Sequence, residues 1–255
     1  MIVLKTKSEL ETMRQAGRIV ARLLVELKEA IQPGVTTGEL DKIAAKVLKQ
    51  HDATSPFYHY PNYEEGLRPF PGYICTSVND ELVHGVPGKR ALQEGDIIKI
   101  DCGARYNSLI ADSAWTFPVG RISDEAQHLL EVTEGALYVT IDKARAGNRT
   151  GDMSAALQGY VESHNLNVVR EYTSHGVGRE LHEDPSVPNV GPAGKGPKLR
   201  PGMTIAVEPM VLAGSYKTKV LPDEWTVVAR DGKLTAHFEH TIAVTDGEPE
   251  ILTKL

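Results

Sequence analysis

The sequence predicts an α+β fold, internally duplicated, with helices packed outside an antiparallel-rich sheet. Three observations carry that reading. A pair of amphipathic helices followed by β-rich runs occurs twice along the 255 residues. The helix breaks of the two passes correspond residue by residue. No regular β-α alternation supports a Rossmann or barrel arrangement.

Taken in order, Ser8 and Glu11 have capping-box spacing. Apolar residues then recur at Met13, Ala16, Val20, Leu24, Leu27 and Ile31, as one helix face requires. Pro33-Gly34 stops that helix. A second starts at Thr36, with Glu39 as its box partner, and turns Leu40, Ile43, Ala44 and Val47 inward. The plan returns with a helix over 123–143, a break at Gly147 and another helix through Tyr160. Gly34, Thr37, Gly38, Glu39 and Leu40 parallel Gly147, Thr150, Gly151, Asp152 and Met153, each 113 positions on. Runs at 73–78, 96–102, 109–117, 168–173, 203–209, 225–229 and 236–244 are predicted strands. Residues 185–202, with five prolines and four glycines, are expected to be loop. Residues 56–73 gather Phe57, Tyr58, Tyr60, Tyr63, Phe70 and Tyr73, six of the fifteen aromatics. Such a loop either lines a pocket or packs on itself as a satellite cluster, and the residues leave both open.

Composition narrows the class. Apolar residues make up 41% and charged residues 24%, which excludes a disordered chain. With 28 basic and 34 acidic side chains the net charge is −6, without the electrostatic footprint of a nucleic-acid binder. No stretch approaches a membrane span, and the apolar run at the N-terminus is too short for a secretory signal. Cys75 and Cys102 are too few for a disulfide scaffold and read as thiols of a reducing compartment. A cytoplasmic location is expected.

The chemistry lies in the repeated carboxylates. Val83-His84-Gly85-Val86 is followed by Gly95 and a strand reaching Asp101. Ser174-His175-Gly176-Val177 is followed by Gly202 and a strand reaching Glu208, and in both cases the acid comes six residues after the glycine. A further strand in each half bears Asp112 or Glu239. Alternation sets Ile98 and Ile100 on one face and Asp101 with Lys99 on the other. One acid on an apolar strand is ordinarily solvent-facing or salt-bridged. Four at duplicated places, without nearby basic partners enough for four ion pairs in these strands, need another compensation. Two divalent cations carry the four missing charges, and a mainly oxygen shell with one imidazole suits Mn, Fe(II) or Co. Paired ions acidify a water between them, which is hydrolytic chemistry. His175, beside glycine, is the candidate ligand. His182 is placed to steady charge on a reacting carbonyl oxygen, and His84 is placed near the scissile amide. No Gly-x-Ser-x-Gly elbow, P-loop or His-Glu-x-x-His motif competes.

These motifs resemble those of the methionine aminopeptidases, in their short bacterial type I form. The residues that carry the resemblance are Ser77-Val78-Asn79-Asp80-Glu81 with His84-Gly85-Val86-Pro87, Ile100-Asp101 with Asp112, His175-Gly176-Val177-Gly178 with His182-Glu183, Glu208-Pro209-Met210, and Glu239-His240-Thr241. It runs from Ser8 to Thr253. It implies the pita-bread fold, a duplicated unit with a curved, antiparallel-rich sheet and helices outside. One catalytic domain over 1–255 is expected, with pseudo-symmetric halves near 1–120 and 121–255. The resemblance further implies two divalent ions per chain (Co, Mn, Fe or Zn), held by Asp101, Asp112, His175, Glu208 and Glu239, with Asp112 and Glu239 bridging. His84, His182 and Glu208 become the catalytic group, the two histidines contacting substrate. The implied reaction removes the N-terminal methionine from nascent chains with a small second residue. In it a hydroxide held between the ions attacks the first peptide carbonyl, Glu208 shuttles a proton and His182 steadies the oxyanion. Cys75 and Trp225 resemble residues around the methionine side chain, a polarizable thioether site. The partner is then a nascent peptide, ribosome association suits the task, and the resemblance leans towards a monomer.

Some positions depart from the family pattern. Ile110-Ala111 stand where His-Gly is usual, Ser174 where Gly is usual and Leu181 where Phe is common, and the 56–73 loop is long. Two alternatives remain: an Xaa-Pro aminopeptidase or creatinase-like hydrolase on the same fold, and a non-catalytic binding module.

Overall fold

The computed structural model describes residues 1–62 and 66–255; Tyr63, part of the aromatic loop, lies outside them. Helix α1 (Lys7–Ala30) is capped two residues earlier than predicted. The box is Thr6 with Glu9, the Glu9 carboxylate accepting from Thr6 N–H at 2.8 Å. Two capping-box spacings overlap here, and Lys5 N–H, bonded to Gly202 O at 2.7 Å, pins the chain so that the first is used. Helix α2 (Thr37–Gln50) has the expected Thr36–Glu39 box. The second pass supplies α3 (Asp124–Asp142), capped by Ser123, and α4 (Thr150–Ser163), where Asp152 accepts from Arg149 N–H at 2.7 Å. The matched breaks behave alike: Gly34 and Gly147 take φ of 94° and 97°, left-handed values that glycine adopts without a Cβ clash.

The strands are β1 (Cys75–Val78), β2 (Glu81–Val83), β3 (Ile97–Tyr106), β4 (Leu109–Pro118), β5 (Asn167–Val168), β6 (Thr173–Gly176) and β7 (Glu183–Pro188). They continue as β8 (Thr204–Val207), β9 (Met210–Leu212), β10 (Thr218–Val220), β11 (Val227–Ala229), β12 (Thr235–His237), β13 (His240–Ala243) and β14 (Glu250–Ile251). Every pairing among them is antiparallel. They form sheets ordered β1-β3-β4, β10-β11-β2, β12-β9-β5 and β14-β13-β8-β6-β7.

Strand β7 corrects the expectation that 185–202 is all loop. It carries Pro185 and Pro188, which a strand tolerates at the edge of a sheet, where no neighbour needs the missing N–H. The predicted strand 168–173 is also split, so that His175 falls inside β6.

Helices α1 and α2 pack on β1-β3-β4 through Leu23, Leu27, Leu40, Ile98 and Ile100. Helices α3 and α4 cover the other half through Leu137, Leu157, Ile205, Phe238 and Ile242. Each fully buried Leu or Ile contributes about 1.5–3 kcal/mol. A third cluster, including Met13, Phe57, Phe70, Cys75, Leu181 and Trp225, lies between these layers and borders a cavity.

Candidate metal centre

Asp101 and Asp112 come from the two arms of the β3–β4 hairpin. Asp101 is opposite Ala114 and Asp112 opposite Gly103, so the acids are diagonal neighbours on one face of the ladder. Their carboxyl groups are close enough to hydrogen-bond each other.

Glu208 and Glu239 come instead from breaks. β8 pairs with β13 as far as Val207 opposite His240, and β9 pairs with β12 from Met210 opposite His237. Between them Glu208-Pro209 and Phe238-Glu239 leave the ladder together, where Pro209 has no N–H to give. The predicted strand 236–244 is therefore two, the predicted 203–209 stops at Val207 with a further strand starting at Met210, and both acids turn into the cavity.

Hydroxyls stitch the halves together. Thr241 Oγ1 donates to Asp112 O at 2.8 Å and accepts Asp112 N–H at 2.9 Å. Ser113 Oγ donates to Glu239 O at 2.5 Å, and Glu239 N–H donates to Ala114 O at 2.8 Å. Ser174, the departure from the family pattern, has a use: its Oγ accepts Glu208 N–H at 2.9 Å.

His175 Nδ1 lies 2.9 Å from Gly176 O, an arrangement that puts the ring proton on Nδ1 and frees Nε2. That Nε2 is 3.4 Å from Glu208 Oε1. A Cβ on Gly176 would meet Asp184 O at 2.3 Å, so the backbone approach beside the histidine requires glycine. His182, in the turn after β6, lies tilted against His175 with ring centroids 4.3 Å apart, and its Nδ1 is 2.7 Å from the Tyr60 hydroxyl. His84 sits at φ 59°, with its ring 6.4 Å from Trp225 and 5.7 Å from Tyr172. Burial lowers the pKa of His84 to about 4 and of His175 to about 3, with His182 adding to both shifts, so these rings are neutral near pH 7.

The four acids lack what would compensate them. Asp101 Oδ1, Asp112 Oδ1 and Glu239 Oε1 are buried with no hydrogen-bond partner among the described residues. Lys99, on the face of Asp101, sends its Nζ elsewhere, to Asn79 O at 2.7 Å and Thr235 O at 3.0 Å. Burial pushes Asp101 up to about 7. Burial first, then the neighbouring carboxylates, pushes Asp112, Glu208 and Glu239 well above the usual range. Ligand atoms of Asp112, His175 and Glu239 all lie within 4.8 Å of one another. Orphaned oxygens, a free imidazole Nε2 and a missing positive charge together fit divalent cations.

Above this floor opens a cavity of about 760 Å³. Phe57, Tyr60, Phe70, Cys75 and Trp225 line it, Phe70 meeting Trp225 edge-on at 5.2 Å. The aromatic loop thus divides, because Tyr58 and Tyr73 stack on each other at 4.4 Å outside the cavity. All nine residues singled out from the sequence reach the cavity. Sequence reasoning missed Tyr60 as the partner of His182, and it missed His237. The second carried a signal: His237 and Glu239 share strand parity.

A duplicated α+β frame holding a carboxylate-rich cation site defines a metallohydrolase. The model of metallopeptidase family M24 matches residues 11–246. Methionine aminopeptidase 1 of Bacillus subtilis is 54% identical over all of both chains. The crystal structure of the Thermotoga maritima methionine aminopeptidase superposes with a TM-score of 0.95 at 43% identity, covering 100% of each chain. An Xaa-Pro dipeptidase from Bacillus anthracis shares the fold at a TM-score of 0.77 and 23% identity, over 99% of this chain and 62% of that one. The chain belongs to metallopeptidase family M24 and, within it, to the methionine aminopeptidases. No helix among the described residues is long and apolar enough to cross a membrane.

Proposed function

We propose that the chain removes the N-terminal methionine from peptides with a small second residue, using two divalent ions held by Asp101, Asp112, His175, Glu208 and Glu239. One observation carries this reading: orphaned carboxylate oxygens beside His175 floor a cavity walled by Phe57, Phe70, Cys75 and Trp225. Bound there, the ions supply Lewis acidity and a hydroxide at neutral pH.

The chain's own residues do the rest. Cys75, Phe70 and Trp225 take the methionine side chain, and the thioether gains from their polarizable and aromatic surroundings. His182, braced by Tyr60, donates to the carbonyl oxygen as negative charge develops. His84 contacts the scissile amide from the Trp225 side. Glu208 moves a proton from the attacking water to the leaving amine. On this reading the chain acts as a monomer on nascent peptides in the cytoplasm, and ribosome association suits that task.

The test compares Met-Ala-Ser with Ala-Pro-Ala hydrolysis after EDTA treatment and after Mn(II) or Co(II) is restored. Metal-dependent release of methionine from Met-Ala-Ser is expected. Preference for the proline peptide would favour an Xaa-Pro hydrolase, and no metal uptake or cleavage would favour a binding module.

A further inference from the structure

His237 is a buried histidine of the cavity wall that the reaction outlined above does not use. It ends β12 opposite Met210, at the lip of the double break that carries Glu208 and Glu239. Its backbone is held at both polar atoms by one hydroxyl: Thr116 Oγ1 donates to His237 O at 2.7 Å and accepts His237 N–H at 3.0 Å. The ring has no such support. It is 1% exposed, lines the cavity, and has no hydrogen-bond partner for either nitrogen among the described residues.

What the ring does face is Glu208. His237 Nε2 lies 3.5 Å from Glu208 Oε2, while Glu208 Oε1 lies 3.4 Å from His175 Nε2. The carboxylate is therefore bracketed by two imidazoles, one on each oxygen. An imidazole whose proton sits on Nε2 has an N–H to give to the carboxylate oxygen it faces. An apolar side chain would fill the same volume without burying two unsatisfied nitrogens.

We propose that His237 is a positioning residue for Glu208: its Nε2–H holds Oε2, so that Oε1 stays aimed with His175 at the metal site. The inference rests on the proposed metallopeptidase reading. His237 acts through Glu208, fixing the rotation of the carboxylate and so the direction in which it passes a proton.

The test uses the full chain with His237→Gln, His237→Asn and His237→Leu. Gln carries its amide nitrogen where Nε2 sits; Asn carries it at the Nδ1 position, and Leu has none. Relative to wild type, Asn and Leu should lower kcat on Met-Ala-Ser by about 10- to 100-fold with KM nearly unchanged, while Gln stays within about threefold. Calorimetric titration with Mn(II) should show binding about tenfold weaker in Asn and Leu than in Gln. Wild-type kcat and Mn(II) affinity in the Leu variant would overturn the inference. So would equal losses in Gln and Asn at matched melting temperature, since ring shape and not the N–H would then matter. If Leu does not fold, the Gln–Asn pair carries the test. A wild-type chain that binds Mn(II) but cleaves nothing overturns the proposed reaction instead, and the Mn(II) titrations still judge His237.

Discussion

The two halves present the same order, histidine then acid then acid, yet build it differently. In the first half both acids stand in the uninterrupted β3–β4 hairpin, paired in register along its whole length. In the second half both acids stand at breaks between strands, where the ladder shifts from one sheet to the next. The histidines diverge as well. His175 lies within a strand with Nε2 beside Glu208, whereas His84 lies in a left-handed turn with its ring toward Trp225 and Tyr172. Duplicated sequence thus settles where chemistry-bearing residues fall along the chain. Local backbone geometry settles what each one faces.

That contrast can be broken most severely at Glu208. On the proposed reaction Glu208→Gln removes a ligand charge and the proton carrier together, so turnover on Met-Ala-Ser should fall by about 10³-fold or more. A near-normal rate would show that the catalytic role sits elsewhere. The histidine pair offers the sharper comparison. His175→Ala should lose bound metal, whereas His84→Ala should keep the wild-type metal content and lower kcat/KM by about tenfold or more. Metal analysis of both purified variants decides it, and equal metal loss in the two would erase the distinction.

The carboxylates add a pH signature. Without a counter-charge Asp112, Glu208 and Glu239 hold protons well above the usual carboxylate range, and Asp101 does so up to about 7. A cation binds their ionised forms, so Mn(II) binding should release protons and tighten as pH rises from about 6 to 8. His175, already neutral above a pKa of about 3, contributes nothing to that slope. Calorimetry in buffers of different ionisation enthalpy counts the protons, and a count near zero would contradict the buried-acid picture. The smallest effect belongs to Ser174→Ala. It leaves Glu208 N–H without its acceptor and should cost about 1–3 kcal/mol in chemical denaturation, with activity falling less than in any histidine variant.

Much of this is legible in the sequence. The helix breaks, the Thr36 cap, and the identity of all four acids follow from local spacing and repetition, because capping, helix periodicity and glycine turns are short-range effects. Where prediction slipped, a partner distant in sequence was responsible. Lys5 bonded to Gly202 moved the first cap to Thr6, an edge position let β7 accept two prolines, and the break at Pro209 and Phe238-Glu239 shortened one predicted strand and split another. The role of Ser174 was invisible for the same reason, since its acceptor function depends on Glu208, 34 residues away.

By itself, then, the chain's order of residues determined the duplicated frame and the set of side chains able to hold cations, since those depend on chemistry and near-neighbour periodicity. Only the tertiary structure decided how those side chains are aimed: which imidazole lies against Glu208, which aromatics of the long loop reach the cavity, and that Tyr60 and His237 belong to the site. Aim depends on contacts between segments distant in the sequence, such as His175 with Glu208 and Tyr60 with His182, and no local pattern encodes them.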